Sequence, residues 1–300
     1  MSLPRALLVS LRPHQWTKNL VVLAALAFSK HLFDRDAALR ALLAFVAFCA
    51  LSGATYLLND IQDLELDRLH PLKRLRPLAS GLLPLRLARG ACLALALGGM
   101  AASLVLGGRF ALAALVYLAL NVGYSFVLKH VVILDVLSIA IGFVVRAVAG
   151  ALAIGVVFSD WLLVCTILLA LFLALSKRRQ ELVTLEDAAG HRRILAEYSP
   201  YLLDQMVSVV TASCLTAYAF YTLAPDTIEK YRTDRLSLTI PFVIYGIFRY
   251  LYLVHRREQG GNPSDLLLTD RPLLLAVALW AAAVVAIVYT APGLPVPRAH

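Results

Sequence analysis

Asn59-Asp60-Ile61-Gln62-Asp63-Leu64-Glu65-Leu66-Asp67 is the stretch on which the reading of this chain turns. It is an acidic run set between a long apolar stretch, residues 37–58, and a strongly basic one, Arg68 to Arg89. At about 100° per residue, a helix through it puts Asp63 roughly 60° and Asp67 roughly 20° around the axis from Asp60. Three carboxylates then share one face, with Asn59 near its edge, while Glu65 points away. Such a cluster repels itself unless a cation sits in it. Oxygen-only ligands over about two turns suit Mg²⁺, which keeps waters and takes its remaining oxygens from a diphosphate. The competing reading is a solvated helix end. Placement at the edge of an apolar span, where ionisable groups tend to be functional, favours metal–diphosphate binding.

Outward from this run the chain is mostly apolar. Of its 300 residues, 60% are hydrophobic and only 16% charged, which is too apolar for a soluble domain and marks a polytopic membrane protein. Apolar runs predict about nine spans, near residues 19–34, 37–58, 87–106, 109–127, 132–157, 160–176, 203–223, 237–254 and 271–291. Lys30 and His31 interrupt the first. Basic residues gather at the N-terminus (Arg5, Arg12, Lys18) and after the second span (Arg68, Lys73, Arg74, Arg76, Arg86, Arg89). More follow the fourth (Lys129), the sixth (Lys177, Arg178, Arg179, Arg192, Arg193) and the eighth (Arg256, Arg257). With alternating spans all of these fall on one side. The positive-inside rule makes that side cytoplasmic, with the N-terminus inside and the C-terminus outside.

The net charge of +9 is therefore concentrated on one face, which suits membrane lipid headgroups and anionic substrates. Nucleic acid is excluded as a partner, because the basic loops are short and pinned to the bilayer. The Pro- and Arg-punctuated start does not read as a cleavable signal peptide. Cys49, Cys92, Cys165 and Cys214 lie singly in apolar spans and read as packing residues. No His has a partner at metal-ligand spacing. The expectation is one all-α transmembrane domain over residues 1–300.

After the acidic run comes Arg68-Leu69-His70-Pro71-Leu72-Lys73-Arg74-Leu75-Arg76-Pro77, whose prolines break helix. The loop can fold back over the carboxylates, and Lys73, Arg74 and Arg76 can grip phosphate oxygens. Asn-Asp-x-x-Asp-x-x-x-Asp in such a chain resembles the first motif of the UbiA superfamily of intramembrane prenyltransferases. Asn59 through Gly81 is similar to the decaprenyl-phosphate phosphoribosyltransferase branch of it. So are Leu11-Arg12-Pro13-His14-Gln15-Trp16-Thr17-Lys18-Asn19, Tyr124-Ser125-x-x-Leu128-Lys129, Lys177-Arg178-x-x-Glu181-Leu182, Gly260-Gly261-Asn262-Pro263 and Asp270-Arg271-Pro272. The resemblance implies a helical bundle around a central cavity open to the cytoplasm, in the inner (plasma) membrane of a bacterium. It implies transfer of phosphoribose from phosphoribosyl diphosphate to a polyprenyl phosphate with Mg²⁺, for cell-envelope glycan synthesis of the arabinan type.

One departure from the wider superfamily bears on the branch. Where ordinary members carry a second Asp-rich motif, in the loop after the sixth span, this chain reads Ser176-Lys177-Arg178-Arg179-Gln180-Glu181. A site that attracts anions directly has replaced a metal site, which suits an acceptor that is itself a lipid phosphate. Glu181, Glu186 and Asp187 leave room for a second metal. Arg12, Gln15 and Lys18 read either as a lipid-phosphate contact at the cavity mouth or as an interface anchor around Trp16. Asp135 and Arg146 share a helix face with Ser138 and Gly142, about 16 Å apart along the axis. Asp135, near Tyr124 and Lys129, is expected to serve ribose hydroxyls or metal-bound water. Arg146 is too deep for that group and is read equally as a partner of helix carbonyls; Arg249 poses the same question.

The sequence thus points to Asp60, Asp63 and Asp67 as catalytic metal ligands, with Lys73 stabilising the leaving group. Asn59, Arg76, Arg12, Gln15, Lys18, Tyr124, Lys129, Asp135, Lys177, Arg178 and Glu181 are the candidate substrate contacts. Two other readings stand beside this one. A prenyl diphosphate transferase acting on an aromatic or quinone-precursor acceptor explains the acidic run equally well and Lys177-Arg178 less well. A lipid or anion transporter predicts inverted repeats, which are not visible. Oligomeric state is not legible.

Overall fold

The computed structural model describes residues 2–184, 193–256 and 263–290. Among them every regular element is helical, and the chain forms two compact units, Met1–Val157 and Phe158–His300. The first contains α1 (Leu3–Ser10), a 3-10 segment (Pro13–Leu23), α2 (Ala24–Phe28), α3 (Arg35–Gln62), α4 (Leu64–Leu69), α5 (Leu85–Leu106), α6 (Gly108–Phe126) and α7 (Leu134–Ile154). The second contains α8 (Asp160–Thr184), α9 (Pro200–Leu223), α10 (Pro225–Tyr231), α11 (Ile240–Arg256), α12 (Pro263–Thr269) and α13 (Arg271–Thr290). Eight of the described helices are long and apolar enough to cross a membrane: α3, α5, α6, α7, α8, α9, α11 with the turn before it, and α13. The protein is an integral membrane protein.

Two expectations about the spans change. The first apolar run is no single α-helix: Pro13–Leu23 is wound as 3-10 and only Ala24–Phe28 as α. Its eleven residues extend about 22 Å at ~2.0 Å rise each, whereas an α-helix of equal length covers about 16 Å. A proline opens it, and Lys30, at φ 64, follows its end. The sixth span does not stop near residue 176 but continues as α8 to Thr184, so Lys177, Arg178 and Glu181 stand on a helix and not in a loop. Lys, Arg, Gln and Glu are good helix formers, and Arg178 and Lys177 reach Glu181 at i,i+3 and i,i+4 spacing, which supports the extra turns. Charge marks the membrane edge here, but it does not end the helix.

In the first unit α3 is the central element. Asp34 caps its start, accepting from the N–H groups of Asp36 and Ala37. Its buried face is built from small residues, among them Ala37, Ala41, Ala44, Ala47 and Ala54, so neighbouring helices approach closely. Phe48 meets Phe110 edge-on at 5.8 Å and Tyr117 at 5.2 Å between ring centroids. Arg40 donates to the carbonyls of Ala153 and Leu106, at the last turns of α7 and α5, where a cation complements two helix dipoles. In the second unit Arg249 of α11 makes a two-pronged pair with Asp270 at 3.1 and 2.8 Å, and Asp270 also accepts the Leu273 N–H to cap α13. Arg249 therefore joins two helices. The cysteines are free thiols, and Cys49 and Cys214 are buried.

Candidate functional site

The acidic run lies where α3 ends. The helix stops at Asp63 (φ −89, ψ 9), and α4 restarts at Leu64. Aspartate is a poor helix-interior residue and favours such ends. The break is shallow, because the Asp67 N–H still donates to the Asp63 carbonyl at 2.8 Å. Asp60 and Asp67 accordingly remain on one side, both almost fully buried at 3% and 2% exposure. Arg76 Nη1 lies between them, donating to Asp67 Oδ2 at 2.5 Å and to Asp60 Oδ1 at 3.1 Å. Asp63 diverges from this pair: its carboxylate takes Lys129 Nζ at 3.0 Å. Glu65 faces outward and, among the described residues, pairs only with Arg68, as expected for the far side of the helix.

The N-terminus completes the cluster. Arg12, in the left-handed region at φ 52 where α1 gives way to the 3-10 segment, donates Nη2 to Asp60 Oδ1 at 2.5 Å. Its guanidinium also lies over the Tyr56 ring, 4.9 Å from the centroid. Three carboxylates thus face Arg12, Arg76 and Lys129. These cations come from the three basic segments of this unit that the positive-inside rule places on one side. Removing one member of a buried pair strands the others, at a cost of about 3–5 kcal/mol.

The other candidates fall in two places. Gln15 is buried, while Lys18, Lys73 and Tyr124 are half-buried in the first unit. Asp135 is fully buried in the first turn of α7. The residue two before it, Ile133, is held at φ 69 and ψ −43, a strained conformation for a β-branched side chain. In the second unit Arg178 is 1% exposed and donates to Glu181 Oε2 at 2.5 Å, while Lys177 stays more open, 3.7 Å from the same carboxylate. Arg179 pairs with Asp204, which also meets His255 Nε2 at 3.3 Å. Glu186, Asp187, Arg192, Arg257 and Gly260-Gly261-Asn262 lie outside the described residues.

The donor set fits a divalent cation by chemistry: three carboxylates and Asn59 Oδ1, which is buried and accepts no hydrogen bond. As they stand, no three acidic, His or Cys groups among the described residues converge closely enough to hold a metal; the carboxylates are turned onto Arg12, Arg76 and Lys129 instead. One member of the site and one residue of the segment that carries Arg12 are not among the sequence candidates. Tyr56 sits one helical turn before Asp60, a spacing that could have found it. Asn19 was part of the N-terminal block but carried no assigned role, and its partners lie far away in sequence.

Comparison with known proteins gives one consistent picture. The UbiA prenyltransferase family model matches residues 19–269. The decaprenyl-phosphate phosphoribosyltransferase of Corynebacterium glutamicum is 34% identical, over 97% of this chain and 89% of its own. That of Mycolicibacterium smegmatis is 33% identical, over 96% and 94% respectively. Among solved structures, a UbiA homolog from Archaeoglobus fulgidus bound to GPP and Mg²⁺ superposes with a TM-score of 0.72 at 20% identity, covering 95% of this chain and 99% of that one. That likeness shows a shared fold.

Proposed function

The chain belongs to the UbiA prenyltransferase family and is a transferase, and from that premise we propose that it moves 5-phosphoribose from phosphoribosyl diphosphate to a polyprenyl phosphate. The observation that carries this reading is the set of paired charges Arg12–Asp60–Arg76–Asp67 and Asp63–Lys129, on a chain matched nearly end to end by relatives that bear the corresponding name. We place the active site on the cytoplasmic side of a bacterial inner membrane. The meeting of three basic segments at one cluster supports that orientation.

In this mechanism Asp60, Asp63 and Asp67, with Asn59 Oδ1, would hold Mg²⁺, which when bound neutralises charge on the diphosphate leaving group. Arg76, Arg12 and Lys129 exchange their carboxylate partners for phosphate oxygens as the donor arrives, and Lys73 joins them. Their positive charge faces the bond that breaks. An acceptor phosphate oxygen bonds to ribose C1 as the C1–O bond to diphosphate cleaves, and the electron pair departs with diphosphate. A phosphate dianion is already a nucleophile, so no strong base is required. Catalysis rests on positioning and electrostatics. Asp135 and Tyr124 serve the ribose hydroxyls, and Gln15 and Lys18 serve the lipid phosphate at the bilayer edge.

In the second unit Lys177 and Arg178 bind the acceptor phosphate, and Glu181 holds them in place. A groove of about 590 Å³ between α9 and α11, lined by Val207, Leu215, Phe248 and Leu251, supplies apolar surface for the polyprenyl chain. Lys177→Ala is expected to weaken use of polyprenyl phosphate about 10- to 150-fold, the equivalent of a charge-assisted contact of about 1.5–3 kcal/mol. Donor binding should be unchanged. The assay follows labelled phosphoribose into the lipid fraction at varied acceptor, with donor binding measured apart. Equal loss of donor and acceptor affinity would remove Lys177 from the acceptor site.

A further inference from the structure

Arg146 stands in the middle of α7, at 7% exposure, inside a span with an apolar surround. A cation at that depth costs several kcal/mol unless the protein satisfies it. Its Nε donates to Asn19 Oδ1 at 2.9 Å, its Nη1 to the Gly142 carbonyl at 3.1 Å and its Nη2 to the Tyr117 hydroxyl at 2.8 Å. The guanidinium also lies 4.6 Å from the centroid of the Tyr117 ring. Asn19 in turn donates Nδ2 to Ser52 Oγ at 3.2 Å, and Ser52 Oγ meets the Tyr117 hydroxyl at 3.2 Å. The ring closes through four residues from four elements: α7, the 3-10 segment, α3 and α6.

The 3-10 segment is what this ring restrains. Runs of 3-10 beyond three or four residues are uncommon because their hydrogen bonds are poorly aligned, so an eleven-residue run needs anchors outside itself. Asn19 is one. Gly150 provides another: an ideal Cβ on it would lie 2.0 Å from the Val22 carbonyl oxygen, so only glycine lets α7 touch the segment there. At the other end the segment begins at Arg12, whose guanidinium reaches Asp60. Asn19 lies seven residues on, about 14 Å at 3-10 rise.

We propose that Asn19 and Arg146, with Gly150, form a clamp that sets the position of the 3-10 segment and so delivers Arg12 to the acidic cluster. They are positioning residues for the donor site, and the proposal rests on the donor reading above. Arg146 touches no reacting atom. Its bond to Asn19, a residue of the segment and not of the acidic cluster, is what fits it to hold the segment in place.

Two independent lesions should give one phenotype. Asn19→Ala removes the acceptor for Arg146 Nε, and Gly150→Ala pushes the Val22 carbonyl aside without changing any side chain of the ring. Each should weaken equilibrium binding of labelled phosphoribosyl diphosphate about 10- to 150-fold, and the double variant should lose little more than either alone. Asn19→Asp, which still accepts from Nε, should retain donor binding, whereas Arg146→Lys, which cannot span the ring, should not. Hydrogen exchange over Pro13–Leu23 reads the clamp without any ligand and should rise in Asn19→Ala and Gly150→Ala. Should the unaltered protein bind no phosphoribosyl diphosphate, the functional reading fails and the exchange result alone decides the clamp. Unchanged exchange overturns the clamp. A lower melting temperature with donor affinity intact shows a structural role only, and overturns the link to the donor site.

Discussion

Asp60→Ala and Asp67→Ala are each expected to lower turnover about 150- to 5,000-fold, and Glu65→Ala to stay within about twofold. The first pair of changes strands Arg76, and Asp60→Ala strands Arg12 as well, because both guanidiniums point at carboxylates that are almost fully buried. Each change also removes a ligand of the cation that neutralises the leaving diphosphate; several kcal/mol of transition-state stabilisation is at stake, and each 1.36 kcal/mol is about tenfold in rate. Glu65 and Arg68 are exposed, and surface pairs contribute at most about 1 kcal/mol. Initial rates for variants purified in detergent, with melting curves to show that each is folded, make the comparison. Equal loss from Glu65→Ala and Asp67→Ala would mean that the burial and facing of these carboxylates are irrelevant to turnover.

Removal of divalent metal is expected to abolish turnover and to leave the fold in place. Oxygen-only donors select Mg²⁺, with Mn²⁺ as an effective substitute, over softer ions. Losing a cation that neutralises a diphosphate forfeits several kcal/mol of transition-state stabilisation, so rates with excess EDTA fall at least about 1,000-fold. The melting temperature moves little, because Arg12, Arg76 and Lys129 already neutralise the three carboxylates. This contrasts with structural metal sites, where chelation unfolds the protein. Rates in EDTA before and after Mg²⁺ is restored, with paired melting curves, test both halves. Full turnover in EDTA would remove the metal from the mechanism.

How legible the site was in sequence depended on distance along the chain. The common face of Asp60 and Asp67 follows from helical spacing, a local property, and so does the outward turn of Glu65. The break at Asp63 belongs to a single residue's backbone and shifts one carboxylate towards Lys129, 66 residues away. Arg12 meets Asp60 across 48 residues, a contact that only tertiary packing sets. The basic stretch after residue 176 reads as a loop in sequence but is helical, because charge signals both a membrane edge and a stable helix surface. Arg146 shows the same division. Its face, shared with Asp135, Ser138 and Gly142, was readable from the period, and its donation to the Gly142 carbonyl matched the reading of a helix-carbonyl partner. Its bonds to Asn19 and Tyr117 come from other elements and left no local signal. Family membership was legible because its motifs are short, local runs such as Asn59 to Asp67 and the basic stretch after it.

The central claim is the choice of donor and acceptor. Purified protein with Mg²⁺ would be offered labelled phosphoribosyl diphosphate with polyprenyl phosphate, and separately a labelled prenyl diphosphate with an aromatic acid. Label passing from phosphoribosyl diphosphate into the lipid fraction, with one diphosphate released per ribose transferred and no product in the second reaction, is the predicted result. Prenylation of the aromatic ring with no use of phosphoribosyl diphosphate would contradict it.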